Sequence, residues 1–258
     1  MAAETTCISI GDIAIELRRV GTGRPLLLLG SEEMLEPDAA FVATLARDHE
    51  IFIPSPPGFG QTKRPAWIAS PDDIAYLYLS LLDTLALDAV NVIGCSLGGW
   101  VAAEMAVKNT ARVRRLVLVD PYGIKLGGPL SSEIADIWQI GPQKTAALKW
   151  YDPEKGKLDT TKLSDEQLAT MVRNHESFAA LCWEPYMHNR QLPHRLGRIA
   201  VPTLMVWGAE DGLVSPAYGK AYADLIPGAR MTVIPDAGHY PHLEQPAAFL
   251  DAIGNFLR

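Results

Sequence analysis

The chain has 258 residues, 48% of them hydrophobic, enough to bury the core of one large α/β domain carrying an insertion, or of two small domains. Its 23 basic and 30 acidic residues give a formal charge of −7, which offers no basic surface to a phosphate backbone and argues against nucleic acid as a partner. No run approaches the ~18 apolar residues of a membrane span, the opening "MAAETTCISIGDIAIELRR" lacks a basic and then apolar leader, and Cys7, Cys95 and Cys182 are too widely spaced for a disulfide framework or a zinc site.

These exclusions predict a soluble, cytoplasmic protein with no membrane partner. Ile8 and Ile10, then Ile13, Ile15 and Leu17, alternate around Gly11-Asp12 and predict an antiparallel hairpin. From Pro25 the texture changes to short apolar runs: "PLLLLG" at 25–30, "HEIFIP" at 49–54, "AVNVIG" at 89–94, "RVRRLVLVD" at 112–120, "TLMVWG" at 203–208 and "RMTVIP" at 230–235. Runs of this kind suit strands covered on both faces.

Helical patterns lie between them, at 38–48, 70–87, 97–109, 216–226 and 246–257. In the second, Ile74, Leu77, Tyr78, Leu81, Leu82 and Leu85 share one face, with Ser70 as N-cap, Pro71 at the first position and Asp73 closing the cap. Alternating strands and helices predict an α/β fold, a mainly parallel sheet with helices on both faces.

One block interrupts the alternation. Residues 122–195 hold no strand pattern but three helix-like stretches near 131–140, 142–151 and 164–182. The predicted organisation is therefore a core of residues 1–121 and 196–258 with a helical cap, 122–195, over the carboxyl edge of the sheet, where open α/β folds bind ligands. Trp138, Trp150, Trp183 and Tyr186 in this block are candidate substrate contacts; their ordinary role is to hold a small helical unit together.

"GCSLG" at 94–98 fits G-x-S-x-G with a strand before and a helix after. A sharp turn there exposes Ser96 at a helix N-terminus, where amide dipoles favour developing negative charge and the Leu97 N–H is an oxyanion donor. A bare match is as well explained by an N-cap serine; the partners decide.

A serine hydroxyl needs a base within reach and a group to orient that base. Asp211 follows one predicted strand and His239 follows the next, so Ser, Asp and His stand at three strand ends in the chain order of an α/β-hydrolase triad. Asp120 also ends a strand and is the second choice of acid, while Glu210 and Asp236 merely adjoin the main candidates. His242 is the competing base, expected at the surface. His49, His175, His188 and His194 lack a strand-end setting.

These segments resemble a capped α/β-hydrolase over nearly the whole chain. "PPGFGQTKRP" at 56–65 is similar to the family's loop after the third sheet strand, "GCSLGGW" to its nucleophile elbow, "VPTLMVWGAEDGLVSP" to its acid segment and "PDAGHYPHLEQPAAF" to its histidine segment. The resemblance implies a serine hydrolase of carboxylic esters or lactones, working through an acyl-enzyme on a small, partly apolar substrate with no metal or organic cofactor, and with a homodimer left open as its assembly. Its alternatives are carbon–carbon hydrolysis of keto acids, as in meta-cleavage product hydrolases, a perhydrolase side activity, and slow-turnover ligand binding.

Related dehalogenases and epoxide hydrolases use aspartate where Ser96 stands. Cys95, beside the nucleophile, is read as packing. Lys63, Arg64 and Arg190 are candidate carboxylate partners, more simply solvated cations. The departure lies in the oxyanion loop, where the family's His-Gly is replaced by Gly30-Ser31-Glu32-Glu33. Alignment by length gives the second donor to the Glu32 amide, and a shift of one residue gives it to Ser31. Two carboxylates there oppose charge development if they turn inward; the simpler reading leaves both in solvent.

Overall fold

A computed structural model describes residues 4–32, 40–128 and 131–258. Glu33 and the start of the helix expected at 38 lie outside them. Eight strands form one sheet: β1 (Glu4–Ile10), β2 (Ile13–Gly21), β3 (Arg24–Leu29), β4 (His49–Pro54), β5 (Val90–Cys95), β6 (Val113–Val119), β7 (Thr203–Gly208) and β8 (Arg230–Ile234). Their spatial order is β1-β2-β4-β3-β5-β6-β7-β8. β1 and β2 form the antiparallel hairpin, β2 also pairs antiparallel with β4, and every later pairing is parallel.

The helices are α1 (Ala40–Leu45), α2 (Pro71–Thr84), α3 (Leu97–Lys108), α4 (Ile137–Ile140), α5 (Pro142–Lys149), α6 (Asp165–Cys182), α7 (Leu192–Arg195), α8 (Pro216–Asp224), α9 (Pro241–Glu244) and α10 (Pro246–Gly254). Alternation along the central strands divides the core. Leu27, Leu29, Val92, Leu116, Leu118 and Trp207 pack against α2, α3 and α8, while Leu26, Leu28, Ile93, Val117, Val119 and Val206 pack against α1 and α10. Adjacent residues thus serve opposite layers, which is why these strands read as unbroken apolar runs. α2 begins as its sequence predicts: the Asp73 amide donates to the Ser70 side chain and the Ser70 amide to the Asp73 carboxylate.

The order of the strands positions the site. From β3 the chain steps outward to β4, then crosses back to place β5 on the other side of β3, and Leu29 lies opposite Gly94 in register. The carboxyl ends of β3 and β5 therefore flank the point where the winding reverses, the crevice at which open α/β sheets bind ligands. Glu32 follows one end and Ser96 the other.

Between β6 and β7 the described residues contain helices and no strand. The helix expected at 131–140 is reduced to the single turn of α4. Residues before it are drawn into other bonds: Ile134 bridges Val214, the Ala135 amide donates to Leu213, and the Tyr186 hydroxyl donates to the Ala135 carbonyl. A helix there would break all three. α6 starts in a capping box built by Ser164 and Gln167.

Candidate active site

Ser96 sits between β5 and α3 with φ at +53° and ψ at −117°, a region non-glycine residues rarely occupy and one that persists only when its surroundings enforce it. The Ser96 amide donates to Val119 and its carbonyl accepts from Gly99 and Trp100. A Cβ on Gly98 would strike the Leu29 and Gly30 carbonyl oxygens, and one on Gly94 the Gly98 carbonyl. The close approach of α3 to β3 and β5 therefore requires these glycines. The Leu97 amide, first in α3, is among the donors that a helix N-terminus leaves without an intrahelical acceptor.

The loops after β7 and β8 bring two partners to this hydroxyl. His239 Nε2 lies 2.8 Å from Ser96 Oγ, and His239 Nδ1 lies 2.7 Å from Asp211 Oδ2. The other Asp211 oxygen accepts from the Leu213 and Val214 amides at 2.8 and 3.1 Å, which fixes the carboxylate toward the imidazole. All three side chains are buried.

Asp120, the second choice of acid, is buried behind Asp211 rather than on His239. One of its oxygens accepts from the Gly208 amide. Burial and then the neighbouring Asp211 carboxyl raise its pKa well above the ordinary carboxylate range, and Asp211, not Asp120, is the carboxyl in contact with His239.

The oxyanion loop departs from expectation. Glu32 is turned inward and buried, with Ser96 Oγ donating to its Oε2 at 2.9 Å, Lys149 Nζ to its Oε1 at 2.9 Å and the Tyr240 hydroxyl to Oε1 at 3.2 Å. Burial alone would raise this carboxyl. The Lys149 ammonium, the His239 imidazole, the Lys149 hydrogen bond and the residue's own backbone N–H oppose it and hold the value at about 2. Glu32 is thus a carboxylate at every ordinary pH, and the amide expected to face an oxyanion supports its own side chain. Ser31, the alternative donor, is also buried.

Lys149 reaches Glu32 because the chain around it is stitched to both partner loops. Its carbonyl accepts from the His239 amide at 2.7 Å, and the Leu148 carbonyl from the Gly212 amide at 3.0 Å. Glu244, buried at the end of α9, gathers the Gly238, Tyr151 and Asp152 amides.

The remaining candidates fall on either side of expectation. His242 is buried, not at the surface, edge-on to Phe41 and tilted over Phe249. Burial, reinforced by His239, lowers its pKa to about 3, so it is a neutral packing residue. Burial also pushes the Cys95 thiol far up, which keeps it from acting as a thiolate. Lys63 and Arg190 are exposed, and Arg64 donates to the Ile68 carbonyl.

Among the aromatics, Trp183 is 56% exposed, and Trp150 tilts over Tyr240 with its ring 5.0 Å away. Tyr186 spends its hydroxyl on Ala135 and Ile137. Trp138 packs on Phe178 at 5.4 Å, and Phe178 on Tyr122 at 6.4 Å.

Tyr122 itself stacks on His239, centroids 5.0 Å apart and 23° between planes. Its hydroxyl is buried with no hydrogen-bond partner among the described residues. Tyr122, Lys149 and Tyr240 were not singled out as site residues from sequence. Tyr122 carried a usable signal, since it lies two residues past the end of a strand run; Lys149 carried none.

The sheet and its carboxyl-edge crevice define the class of wound, mainly parallel α/β proteins. The family model for the alpha/beta hydrolase fold matches residues 28–246, and the chain belongs to that family. Among curated proteins it is 27% identical over 265 residues to the 2-hydroxymuconate semialdehyde hydrolase of Pseudomonas sp. strain CF600, covering 95% of this chain and 90% of that one. The fold is shared with the meta-cleavage product hydrolase of Pseudomonas fluorescens IP01, with a TM-score of 0.79, 20% identity and coverage of 97% and 96%. It is shared equally with the enol-lactonase of Burkholderia xenovorans LB400, with a TM-score of 0.78, 20% identity and coverage of 98% and 99%.

Proposed function

We propose that this hydrolase cleaves a carboxylic ester or lactone through Ser96, His239 and Asp211. The observation that carries the reading is the unbroken hydrogen-bond chain from Ser96 Oγ through both imidazole nitrogens to Asp211 Oδ2. Ser96 Oγ bonds to the carbonyl carbon as its proton passes to His239 Nε2. Asp211 holds the Nδ1–H tautomer and balances the imidazolium, and the Leu97 amide receives the oxyanion.

Collapse returns the proton to the leaving oxygen and leaves an acyl-serine. Water, deprotonated by His239, then releases the acid and restores the serine. The 122–195 block acts as a cap in this reading, with Lys149 tying it to Glu32 beside the nucleophile. No step calls on a metal or organic cofactor.

A second reading, carbon–carbon hydrolysis of a vinylogous keto acid, draws support from the name of the curated relative. The charge distribution favours the ester. Lys149, a basic side chain beside the nucleophile, is already paired with Glu32, while Lys63 and Arg190 are exposed and Arg64 donates to the Ile68 carbonyl.

Steady-state and burst kinetics on aryl esters, aryl lactones and a meta-cleavage keto acid separate the two. Turnover of esters or lactones that Ser96→Ala abolishes supports the first reading. Turnover of the keto acid alone replaces it with the second, and silence across the panel with no labelling by a fluorophosphonate refutes both.

A further inference from the structure

Ser96 carries one proton and faces two acceptors. With His239 Nδ1–H committed to Asp211, a neutral imidazole presents a bare Nε2 at 2.8 Å, while the Glu32 carboxylate waits at 2.9 Å on the same hydroxyl. When Ser96 attacks, its proton must go to His239, and Glu32 Oε2 loses its donor inside a buried site. A buried charged acceptor without a donor is costly. Something in the complex has to replace the serine hydroxyl.

The oxyanion is not that partner. Two unit charges about 3 Å apart repel by roughly 5 kcal/mol even at an effective dielectric of ~20, so the carbonyl oxygen belongs on the Leu97 side, away from Glu32. The groups brought to the Glu32 side are then substituents within a bond or two of the carbonyl carbon.

A second unmet group narrows their chemistry. The Tyr122 hydroxyl is buried with no hydrogen-bond partner among the described residues, and its ring stacks on the His239 imidazole that faces the same serine. An ammonium would satisfy Glu32 but could not accept from Tyr122. A hydroxyl does both, since it donates one hydrogen bond and accepts others.

Resting on the acyl-hydrolase reading above, we infer that the substrate bears a hydroxyl on the carbon next to the scissile carbonyl, donated to Glu32 Oε2 and accepting from Tyr122. Lys149 and Tyr240, on the other carboxylate oxygen, keep Glu32 ionised and aimed at that hydroxyl. Glu32 is thereby a specificity residue for 2-hydroxyacyl esters and 2-hydroxylactones. A site built around a substrate hydroxyl rejects analogues that lack it, because its own polar groups are left unpaired.

The test compares phenyl 2-hydroxypropanoate with phenyl 2-methoxypropanoate, which keeps the electron-withdrawing oxygen but cannot donate, and with phenyl propanoate. The parent should favour the hydroxy over the methoxy ester in kcat/KM by about 10- to 100-fold, the worth of one hydrogen bond to a charged acceptor. Glu32→Gln combined with Lys149→Met removes both charges together, and the preference should collapse toward one. Tyr122→Phe should reduce it only several-fold. A thermal melt confirms that each variant is folded.

Equal turnover of the hydroxy and methoxy esters by the parent overturns the inference and leaves the acyl-hydrolase reading standing. So does a preference that survives in the double variant. Failure to turn over any of the three esters, with no labelling of Ser96 by a fluorophosphonate, removes that reading and the inference with it.

Discussion

The two flanks of Ser96 are built differently. On the histidine flank, backbone groups do the positioning: Leu213 and Val214 amides aim Asp211, and the Lys149 carbonyl holds the His239 amide. On the carboxylate flank, side chains from segments far apart in sequence do it, with Lys149 and Tyr240 converging on Glu32. Backbone positioning depends on where the loops run and little on which side chains they carry. Side-chain positioning depends on particular residues meeting across the fold, and a single substitution can undo it.

Breaking the histidine flank should have the largest effect. Ser96→Ala or His239→Ala is expected to lower kcat on a turned-over ester by a factor approaching ~10⁶, and Asp211→Asn by about 10⁴, because the wrong imidazole tautomer then faces the serine. Stopped-flow or discontinuous assays on the purified variants check this. If Asp120→Asn proves as damaging as Asp211→Asn, the assignment of acid between the two is wrong.

The carboxylate flank should fail first in stability. Lys149→Met leaves the Glu32 charge buried without its ion partner, at a cost of about 3–5 kcal/mol in urea unfolding. Glu32→Gln with Lys149→Met should cost clearly less than the single change, since no charge is stranded.

Acid sharpens the contrast. The folded-state value of Glu32, about 2, lies below its ordinary 4.5, so the unfolded chain takes up this proton first as pH falls. The stabilisation is complete above pH ~4.5 and drains away toward pH ~2, amounting to about 3 kcal/mol. The double variant should lack that component, and urea midpoints measured across this interval would show it.

Gly98→Ala tests the seam between the flanks. The added Cβ meets the Leu29 and Gly30 carbonyl oxygens, which are backbone and give little. Pushing α3 from β3 should cost about 1–3 kcal/mol and move Ser96 relative to Glu32. Activity should therefore fall by more than the loss of folded protein explains.

The two flanks also differ in how far the sequence reveals them. Strands β3 to β7 are legible because residues such as Leu26 and Leu27 serve opposite layers and leave no polar interruption. Ser96, Asp211 and His239 are legible because chain order and strand-end placement are local properties. A charge in a loop reads most simply as solvated, and Glu32 is instead buried against partners remote in sequence, with Lys149 117 residues away along the chain and beside it in space. The single turn of α4 and the burial of His242 were hidden for the same reason, since each is decided by tertiary partners.

His242 gives the smallest expected effect at neutral pH. Neither ring nitrogen has a hydrogen-bond partner among the described residues, so Phe in its place keeps the contacts with Phe41 and Phe249 and removes two unmet polar atoms. His242→Phe should shift stability by less than about 1 kcal/mol at pH 8. Acid separates the two proteins: with a folded-state value of about 3 against an ordinary 6.5, His242 is protonated first in the unfolded chain. The parent therefore loses up to about 1.4 kcal/mol per pH unit as pH falls from ~6.5 toward ~3. His242→Phe lacks that slope and should overtake the parent in urea midpoint below pH ~6. Parallel curves for the two proteins from pH 8 to pH 4 would mean that His242 is solvated in the folded protein and not packed between Phe41 and Phe249.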